Sequence, residues 1–381
     1  MSRQPFLFTP GPLSTALTVK QAMLKDMGSR DLEFMNAVKD IRNGLLQLAQ
    51  VSKEDGYECV IVQGSGTFAV ESVVSSVVGD KDKLLILANG AYGERIVKMA
   101  GIHRLNHEVL RFDEDTIVTP EETETFLKDH PGITHVACIH SETTTGLFNP
   151  IATIGMVCKK YGKAFIVDAM SSFGGVTMDM KAMQIDFLVS SSNKCIEGVP
   201  GFAFALCKRA ELEKAKGQAR SLSLDMYDQW AGLEASGQFR FTPPTLSLMA
   251  FRQAMKELEE EGGIPAREQR YKTNKQTLDE GMKALGFKQY LRPEIQGHII
   301  SSFLYPSDPA FNFELFYEKL NKRGFVIYPG KLSKANAFRI GNIGQIFPED
   351  VKALLVAIEE VLKEDAANLL GLPRCDDAGQ T

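Results

Sequence analysis

Short β-rich runs alternate with longer helical runs from residue 58 onward, and this alternation limits the possible fold more than any other feature. The first four segments are ECVIVQ, TFAVESVVSSVV, KLLILAN and AYGERIVKMAG. The pattern continues through THVACIH, ATIGMVCKKYG, AFIVDA, DFLVSSS and FAFALCK. Such repeats of strand and helix are typical of βαβ units, whose parallel sheet is covered by helices on both faces. We therefore predict an α/β fold with a mostly parallel sheet between helices.

The pattern changes near residue 260, where we expect a second domain. A charged helix, AFRQAMKELEEEGG, stops at Gly262 and Gly263, and another helix is predicted over residues 266–285. The chain then continues as a small α+β domain with HIISSFLYP, FELFYEKLNKRG, FVIYPG, AFRIGNIG and DVKALLVAIEEVLKE. Two domains suit a chain of 381 residues. The predicted division is an N-terminal segment that packs with the small domain (1–15), a large domain (16–260), a small domain (261–370) and a frayed tail (371–381).

Charge and hydropathy argue against nucleic-acid and membrane partners. The chain has 43 Lys plus Arg against 48 Asp plus Glu, with no basic block of the kind that follows a phosphate backbone. Its start lacks the apolar segment of a signal peptide, and no uncharged apolar run reaches membrane-spanning length. We expect a cytoplasmic protein.

Metal binding is not expected either. The six cysteines form no C-x-x-C pair, which argues against a zinc site or a disulfide framework and predicts reduced, mostly buried thiols. His103 and His107 could ligate a metal from one helix face. The glutamate of an H-E-x-x-H motif is missing, however, so we favour a surface role for both histidines.

The stretch QGSGTFAVE follows a predicted strand and opens a predicted helix. Gly64, Gly66 and Ala69 match the G-x-G-x-x-A fingerprint of dinucleotide-binding folds, so an NAD-dependent dehydrogenase is one interpretation. That fingerprint also needs an acidic residue after the second strand to hold the ribose, and KLLILANG ends in Asn89 and Gly90 instead. The other interpretations are an anion site for one phosphate at the helix N-terminus and a purely structural bend.

Two charged residues follow neighbouring strands. Asp168 ends the apolar strand FIVD, where it could contact a ligand or cap a helix. Lys194 lies among small residues in SSSNKCIEGVPG, and one further strand, DFLVS, separates it from Asp168. Both side chains can therefore lie at the same edge of the sheet. Partial burial would lower the pKa of the lysine and supply a neutral amine for attack on a carbonyl carbon. An ordinary surface lysine is the alternative.

Pyridoxal phosphate accounts for the glycine turn, the lysine and the aspartate together. In this interpretation the backbone N–H groups and the Ser65 and Thr67 hydroxyls hold the phosphate. Lys194 forms a Schiff base with the cofactor aldehyde, and Asp168 pairs with the protonated pyridine nitrogen. Arg339, in AFRIGNIG, could grip a substrate carboxylate or phosphonate with two parallel hydrogen bonds, or form a structural salt bridge.

Six motifs together resemble a known family. FTPGPLST, GSGTFAVE, HSETTTG, VDAMSSFGG, SSSNKCIEGVPG and FRIGNIG are similar to those of class V, fold-type I pyridoxal-phosphate aminotransferases, from about residue 7 to residue 370. Within the class they resemble enzymes that move the amino group of 2-aminoethylphosphonate to pyruvate, forming phosphonoacetaldehyde and L-alanine in phosphonate degradation. The resemblance implies a ping-pong reaction, with Lys194 as base and then acid. It also implies a homodimer with the active sites at the subunit interface.

The resemblance also assigns residues to the cofactor. They are Ser65, Gly66, Thr67, Tyr92, Thr143, Asp168, Asn193, Lys194 and Thr242. Thr242 would come from the neighbouring subunit to the phosphate, Tyr92 would stack on the ring, and Thr143 would touch the ring hydroxyl. An ordinary helix-start aromatic and an ST-turn are the alternatives for Tyr92 and Thr143. Asn193 holds a place often given to Gln.

Arg339 would bind the phosphonate in one half-reaction and the pyruvate carboxylate in the other. A phosphonate carries more charge than a carboxylate, so a second cation or several N–H donors are expected. The candidates are Arg30, Lys331 and the turn at Gly11, and each could equally be surface or structure.

Three other enzyme types are alternatives to this interpretation. A class V aminotransferase that uses serine or alanine with glyoxylate would share the cofactor motifs and differ only in the substrate pocket. A cysteine desulfurase is discounted, because residues 260–374 contain no cysteine and Cys375 lies in the tail. An NAD-dependent dehydrogenase would leave Lys194 without a role.

Overall fold

The computed structural model describes residues 4–309, 311–330, 332 and 334–369. The substrate candidate Lys331 and the predicted tail over residues 371–381, with Cys375, lie outside the described residues. In chain order the helices and strands are β1 (Phe6–Leu7), α1 (Leu17–Gln21), α2 (Leu32–Leu48), β2 (Tyr57–Gln63), α3 (Gly66–Val77), β3 (Leu84–Ala88), α4 (Ala91–Ile102), β4 (His107–Arg111), α5 (Pro120–Asp129), β5 (His135–Ile139), β6 (Ser141–Glu142), β7 (Leu147–Phe148), α6 (Ile151–Lys160), β8 (Ala164–Asp168), β9 (Phe187–Ser191), β10 (Phe202–Lys208), α7 (Arg209–Lys214), α8 (Met226–Ser236), α9 (Thr245–Glu261), α10 (Gly263–Ala284), β11 (Ile300–Leu304), α11 (Phe313–Lys322), β12 (Phe325–Val326), β13 (Tyr328–Pro329), β14 (Ala337–Gly341) and α12 (Pro348–Leu369).

The central sheet has the strand order β2-β10-β9-β8-β5-β3-β4. Strands β9, β8, β5, β3 and β4 pair in parallel, and only β10 runs against both of its neighbours, β2 and β9. The predicted mostly parallel sheet is confirmed. Because β2 and β9 are both antiparallel to β10, they run in the same direction, so β2 ends at the same sheet edge as β8 and β9. Gln63, Asp168 and Ser191 are the last residues of these three strands.

Side chains of the central strands alternate between two apolar layers. In β2, Cys59 and Ile61 join the layer that α2, α6 and α9 cover. Val60 and Val62 join the opposite layer, covered by α3 and α4. Full burial of each such aliphatic side chain contributes about 1.5–3 kcal/mol, which explains why these strands are continuous apolar runs. Helices on both faces of the sheet were predicted, and the two layers confirm them.

A second sheet, with the order β11-β14-β13, is antiparallel and packs against an aromatic-rich core. The N-terminal segment contacts this part of the chain: Phe6 pairs with Phe325 in a parallel bridge, and the Gly341 N–H donates to the Phe8 carbonyl at 3.0 Å. The domain boundaries assigned from the sequence stay a prediction.

The helix stop predicted at Gly262 and Gly263 is only half right. Gly262 adopts the left-handed conformation, with φ of 109°, and ends α9. Gly263 instead begins α10, three residues before the predicted start, so the two helices meet without a loop. A residue without a Cβ tolerates that left-handed turn, which is why the break occurs there.

The pair His103 and His107 does not share a helix, so this part of the metal argument was wrong. Helix α4 ends at Ile102, and His107 begins strand β4. His103 Nε2 lies 2.7 Å from Glu71 Oε1, and His107 Nδ1 lies 2.8 Å from the Leu105 carbonyl. The described residues contain no group of three or more His, Cys, Asp or Glu side chains arranged to hold a metal.

Five cysteines are free and buried: Cys59, Cys138, Cys158, Cys195 and Cys207. Among the helices of the described part, none has the length and apolar character that a membrane crossing requires.

Candidate active site

The turn after β2 forms one wall of a cavity at the shared sheet edge. Gly64 has a φ of 109°, and its N–H donates to the Gly201 carbonyl at 3.0 Å. Ser65 is the N-cap of α3, yet its side chain makes no capping hydrogen bond, so the hydroxyl is left for another partner. A Cβ on Gly66 would meet the end of the Met170 side chain, so a larger residue here would require that side chain to move. Unpaired N–H groups and the positive end of the helix dipole favour an anion at this turn.

Asp168 lies at the end of β8 and is only 7% exposed. Its Oδ1 accepts a hydrogen bond from the Met170 N–H at 2.8 Å. The pKa of this carboxyl is raised to about 6, mainly by burial; the Met170 hydrogen bond opposes the rise and the nearby Glu142 carboxylate adds to it. The ionised form therefore lacks sufficient stabilisation, and a cation beside Asp168 would supply it.

Lys194 follows β9 in a loop that folds back over the sheet edge. Its Nζ donates to the Pro10 carbonyl at 2.6 Å, so the N-terminal segment closes over the amine. Burial lowers the pKa of Lys194 to about 8, although the Asp168 carboxylate opposes that shift. A Cβ on Gly11 would lie 2.5 Å from the same Nζ, and its φ of 126° also favours glycine. The structure thus brings the candidate Gly11 beside the lysine.

These walls enclose a cavity of about 180 Å³. Its lining includes seven residues that the sequence analysis assigned to the cofactor: Ser65, Gly66, Thr67, Tyr92, Asp168, Asn193 and Lys194. It also includes Arg95, Met170 and Ser191, which the sequence analysis missed. Within the described part of the chain the Ser191 hydroxyl is buried without a hydrogen-bond partner, and such an unsatisfied group at a cavity wall indicates a site built for a polar ligand.

Tyr92 and Arg95 enter the cavity from the first turn of α4. The Arg95 guanidinium lies 4.5 Å from the centre of the Tyr92 ring, and burial raises the pKa of the tyrosine. The Glu142 carboxylate lies behind this turn and accepts weak bonds at 3.4 Å from the Tyr92 and Gly93 N–H groups. A sequence signal for Arg95 existed, because residues three apart on a helix share a face.

Two predicted cofactor residues lie outside the lining of the cavity. Thr143 is buried, and its hydroxyl lies 2.7 Å from that of Ser171 in the segment after Asp168. Thr242 is exposed, and its carbonyl accepts a 3.4 Å bond from the Gln63 side-chain amide. The chain therefore does not bring its own Thr242 into the cavity.

Arg339, in β14, is 1% exposed and makes no ion pair within the described part of the chain. Its Nε and Nη2 donate to the Pro329 carbonyl at 3.1 and 3.0 Å, and its Nη1 donates to the Thr143 carbonyl at 2.8 Å. Burial lowers the pKa of this guanidinium. The structural salt bridge considered for Arg339 is therefore not formed. Neither Arg339 nor Arg30 is among the lining residues of the cavity, and Arg30 is exposed.

Known proteins share both the sequence and the fold of this chain. The family model for Aminotransferase class-V matches residues 17–332. The chain belongs to the class V aminotransferases. A 2-aminoethylphosphonate–pyruvate transaminase of Phocaeicola vulgatus is 51% identical over 363 residues, covering 95% of this chain and all of the relative. One from Salmonella schwarzengrund is 49% identical, covering 95% and 98%. The alanine–glyoxylate aminotransferase of Nostoc sp. has a TM-score of 0.87 at 25% identity, covering 95% and 96%.

Membership of the class V aminotransferases confirms the predicted fold-type I architecture and removes the dehydrogenase interpretation of the glycine turn. A dinucleotide-binding fold has its ribose-binding acidic residue at the position of Asn89. The contacts of Asn89 show why this residue cannot take that role. The Asn89 amide donates to the Thr116 carbonyl at 2.9 Å and to Asn149 Oδ1 at 2.8 Å. Its side chain therefore ties loops together and is not free to hold a ribose.

Proposed function

We propose that this class V aminotransferase transfers the amino group of 2-aminoethylphosphonate to pyruvate, giving phosphonoacetaldehyde and L-alanine, with pyridoxal phosphate bound in the cavity. The relatives named for this reaction share about half of their residues with nearly the whole chain. The observation that carries the proposal is the pair of buried, oppositely shifted groups, Lys194 and Asp168, in one cavity. Perturbed pKa values in a cleft are typical of catalytic groups.

The donors around the cavity fit pyridoxal phosphate. Ser65, Gly66 and Thr67 would hold the phosphate, since they offer a free hydroxyl and the N-terminus of α3. Asp168 would pair with the ring nitrogen, which carries a positive charge when protonated. When bound, this cofactor supplies an aldehyde that accepts an amine and a ring that delocalises the electron pair left on the substrate carbon.

Lys194 would bind the cofactor aldehyde covalently and later act on the substrate. A pKa of about 8 leaves an appreciable fraction of neutral amine near neutral pH, which a lysine at its ordinary pKa lacks. The same value suits Nζ to take the proton from the substrate carbon that bears the amine and to return it, because a general base works best with a pKa near the operating pH. The Pro10 carbonyl, 2.6 Å from Nζ, limits where the amine can point.

Arg339 would bind the anionic group of each substrate. Among the described residues its guanidinium has only carbonyl partners, which satisfy N–H groups without neutralising the charge. A phosphonate or a carboxylate would supply that charge and could accept two parallel hydrogen bonds. Gly11, beside Lys194, remains a candidate for a backbone donor to the phosphonate, and Arg30 remains one for the second cation.

A homodimer would complete this site with Thr242 of the second copy. Phe68 and Phe241 are 51% and 43% exposed, and the Gln63 amide binds the carbonyls of Phe241 and Thr242 at 3.0 and 3.4 Å. An apolar, exposed surface next to the phosphate turn is the kind that a second copy covers.

Asn193 would contact the cofactor beside Lys194, and Thr143 would approach the ring hydroxyl. The cytoplasmic location stays a prediction from the sequence.

The test of this function is a half-reaction. The purified protein is loaded with pyridoxal phosphate and mixed with 2-aminoethylphosphonate alone, and the absorbance band of the lysine-bound cofactor is followed. We expect the band to disappear and to return when pyruvate is added, with L-alanine as product. Serine and alanine, each tested with glyoxylate, are the comparison donors. A band that responds to them but not to 2-aminoethylphosphonate would assign the protein to another class V reaction.

The variant Arg339→Lys sharpens the same experiment. Lysine keeps the positive charge but lacks the planar guanidinium that donates two parallel hydrogen bonds. We therefore expect kcat/KM for 2-aminoethylphosphonate to fall at least about 10-fold, the effect of losing one charge-assisted hydrogen bond. The band of the lysine-bound cofactor should be unchanged before substrate is added. An unchanged kcat/KM would remove Arg339 from the substrate site.

A further inference from the structure

We infer that the Arg95 guanidinium binds the cofactor phosphate, an inference that rests on the function proposed above. Arg95 lies on α4, whereas the turn that would hold the phosphate precedes α3. Arg95 Nη1 nevertheless donates to Thr67 Oγ1, at 3.3 Å, across the mouth of the cavity. A cation is therefore already bonded to a residue of the proposed phosphate turn.

The charge of the cavity calls for such a cation. A phosphate monoester carries a charge of about −1.5 to −2 near neutral pH. Among the described residues that line the cavity, the cationic side chains are Lys194 and Arg95. Lys194 is committed to the aldehyde and donates to the Pro10 carbonyl. Hydroxyls and the N-terminus of α3 offer only partial charges, so Arg95 is the remaining full charge for the phosphate.

Arg95 is also available for this role. It makes no ion pair in the described part of the chain, and its neighbour Glu94 is already bonded to Arg111 at 2.7 and 3.2 Å. The Arg95 guanidinium therefore retains N–H groups that can donate to a ligand. The guanidinium stacks on Tyr92, 4.5 Å from the ring centre. Because this stacking already restricts the exposed side chain, binding an anion costs less conformational entropy.

Two other roles for Arg95 make different predictions. If it only supports Tyr92, removing it should weaken binding of the cofactor ring regardless of the phosphate. If it binds the phosphonate of the substrate, removing it should raise KM for 2-aminoethylphosphonate and leave cofactor affinity alone. Pyridoxal, which has the same ring and aldehyde without the phosphate, separates these roles from the one inferred.

The experiment titrates apoprotein with pyridoxal phosphate and with pyridoxal, and the absorbance of the lysine-bound form gives both affinities. For Arg95→Gln we expect the affinity for pyridoxal phosphate to fall about 10- to 100-fold, as for loss of a hydrogen bond to a charged group. The affinity for pyridoxal should not change. Arg95→Lys should recover part of the loss. The matched control is Lys98→Gln, which removes an exposed cation of α4 outside the cavity and should alter neither affinity.

The inference is overturned if Arg95→Gln weakens pyridoxal and pyridoxal phosphate equally, or weakens neither. A wild-type protein that binds neither compound would overturn the proposed function itself, so the two failures are distinguishable. Melting of each apoprotein checks folding. If Arg95→Gln does not fold, Arg95→Lys serves as the test variant, because it should still bind pyridoxal phosphate less tightly than wild type and bind pyridoxal equally well.

Discussion

Buried charges lie on both sides of the loop that follows β9, and the two groups differ in how they are paired. On the cavity side, Lys194 donates to a carbonyl and Asp168 accepts from a backbone N–H, and no described residue of opposite charge lies at hydrogen-bond distance from either. On the other side, Glu197 accepts from Arg270 Nη2 at 2.8 Å and from the Tyr271 hydroxyl at 2.6 Å. Lys194 and Glu197 are only three positions apart along the chain, yet one has a carbonyl partner and the other forms a buried ion pair.

The structural group ties the loop to the second half of the chain. Arg267 Nη1 donates to the Cys195 carbonyl at 2.8 Å, and Arg270 Nη1 donates to the Gly344 carbonyl at 2.7 Å. Both arginines also pair with Glu261. Glu197 itself has a φ of 64°, an unfavourable conformation for a residue with a side chain, and these contacts hold it there.

The comparison shows what burial does to a charge with and without a partner. Where opposite charges meet, the attraction and hydrogen bonds offset the loss of hydration, and the group serves to hold elements together. Where they do not meet, the loss of hydration appears as a shifted pKa, and the group remains able to react.

Lys194→Ala should have the largest effect on activity. Lys194 is the proposed nucleophile and general base, so its removal should lower the rate of alanine formation by at least about 10⁴-fold. Lys194 has no acidic partner at hydrogen-bond distance among the described residues, so its removal should not destabilise the apoprotein. Initial rates and urea unfolding measure the two quantities. Retained activity, or a large loss of stability, would place Lys194 with the structural charges instead.

Glu197→Gln should mainly affect stability. The substitution removes one acidic partner from two buried arginines. We expect the free energy of unfolding to fall by about 3 kcal/mol, which is the lower end of the usual cost of breaking a buried ion pair, because Glu261 remains as a partner. Urea unfolding of the apoprotein measures it. The control is Glu260→Gln on α9, whose exposed pair with Lys256 at 3.6 Å should contribute less than about 1 kcal/mol. Equal effects of the two variants would contradict the contrast.

Asp168→Asn should stabilise the apoprotein at high pH. The folded state raises the pKa of this carboxyl from 3.8 to about 6, so the folded protein binds its proton more tightly than the unfolded chain does. Stability from this group therefore falls as pH rises between those values, and stays low above them. The variant should be more stable by up to about 3 kcal/mol at pH 8, since one pH unit of pKa difference corresponds to about 1.4 kcal/mol. Below pH 4 the gain should vanish, and an equal gain at both pH values would contradict the assignment.

The smallest expected effect is the pH dependence of covalent cofactor attachment. Protonation removes the lone pair of Lys194 Nζ, so below its pKa of about 8 the rate of attachment to the apoprotein should fall about tenfold per pH unit. Stopped-flow absorbance measures this rate. A midpoint close to 10.5, the ordinary value for lysine, would mean that burial does not activate the amine.

Much of the fold and part of the site could be predicted from the sequence. The parallel sheet was predictable because buried strands are short apolar runs separated by helical ones. Asp168 and Lys194 could be predicted to lie together because parallel strands that are neighbours end at one sheet edge. The predicted start of the long helix α10 was three residues late. A glycine in the left-handed conformation marks the end of one helix, but the next helix can start immediately after it.

The sequence by itself therefore determined the alternation of strands and helices, the glycine turn and the two groups at the strand ends, because these depend on local periodicity and on chain direction. Only the tertiary structure decided which distant groups meet. It brings the Pro10 carbonyl to Lys194, Arg95 to Thr67, and Arg270 to Glu197. It also leaves Arg339 without an acidic partner among the described residues. Such contacts depend on how separate elements pack, and side chains far apart along a chain carry no local pattern that encodes their distance.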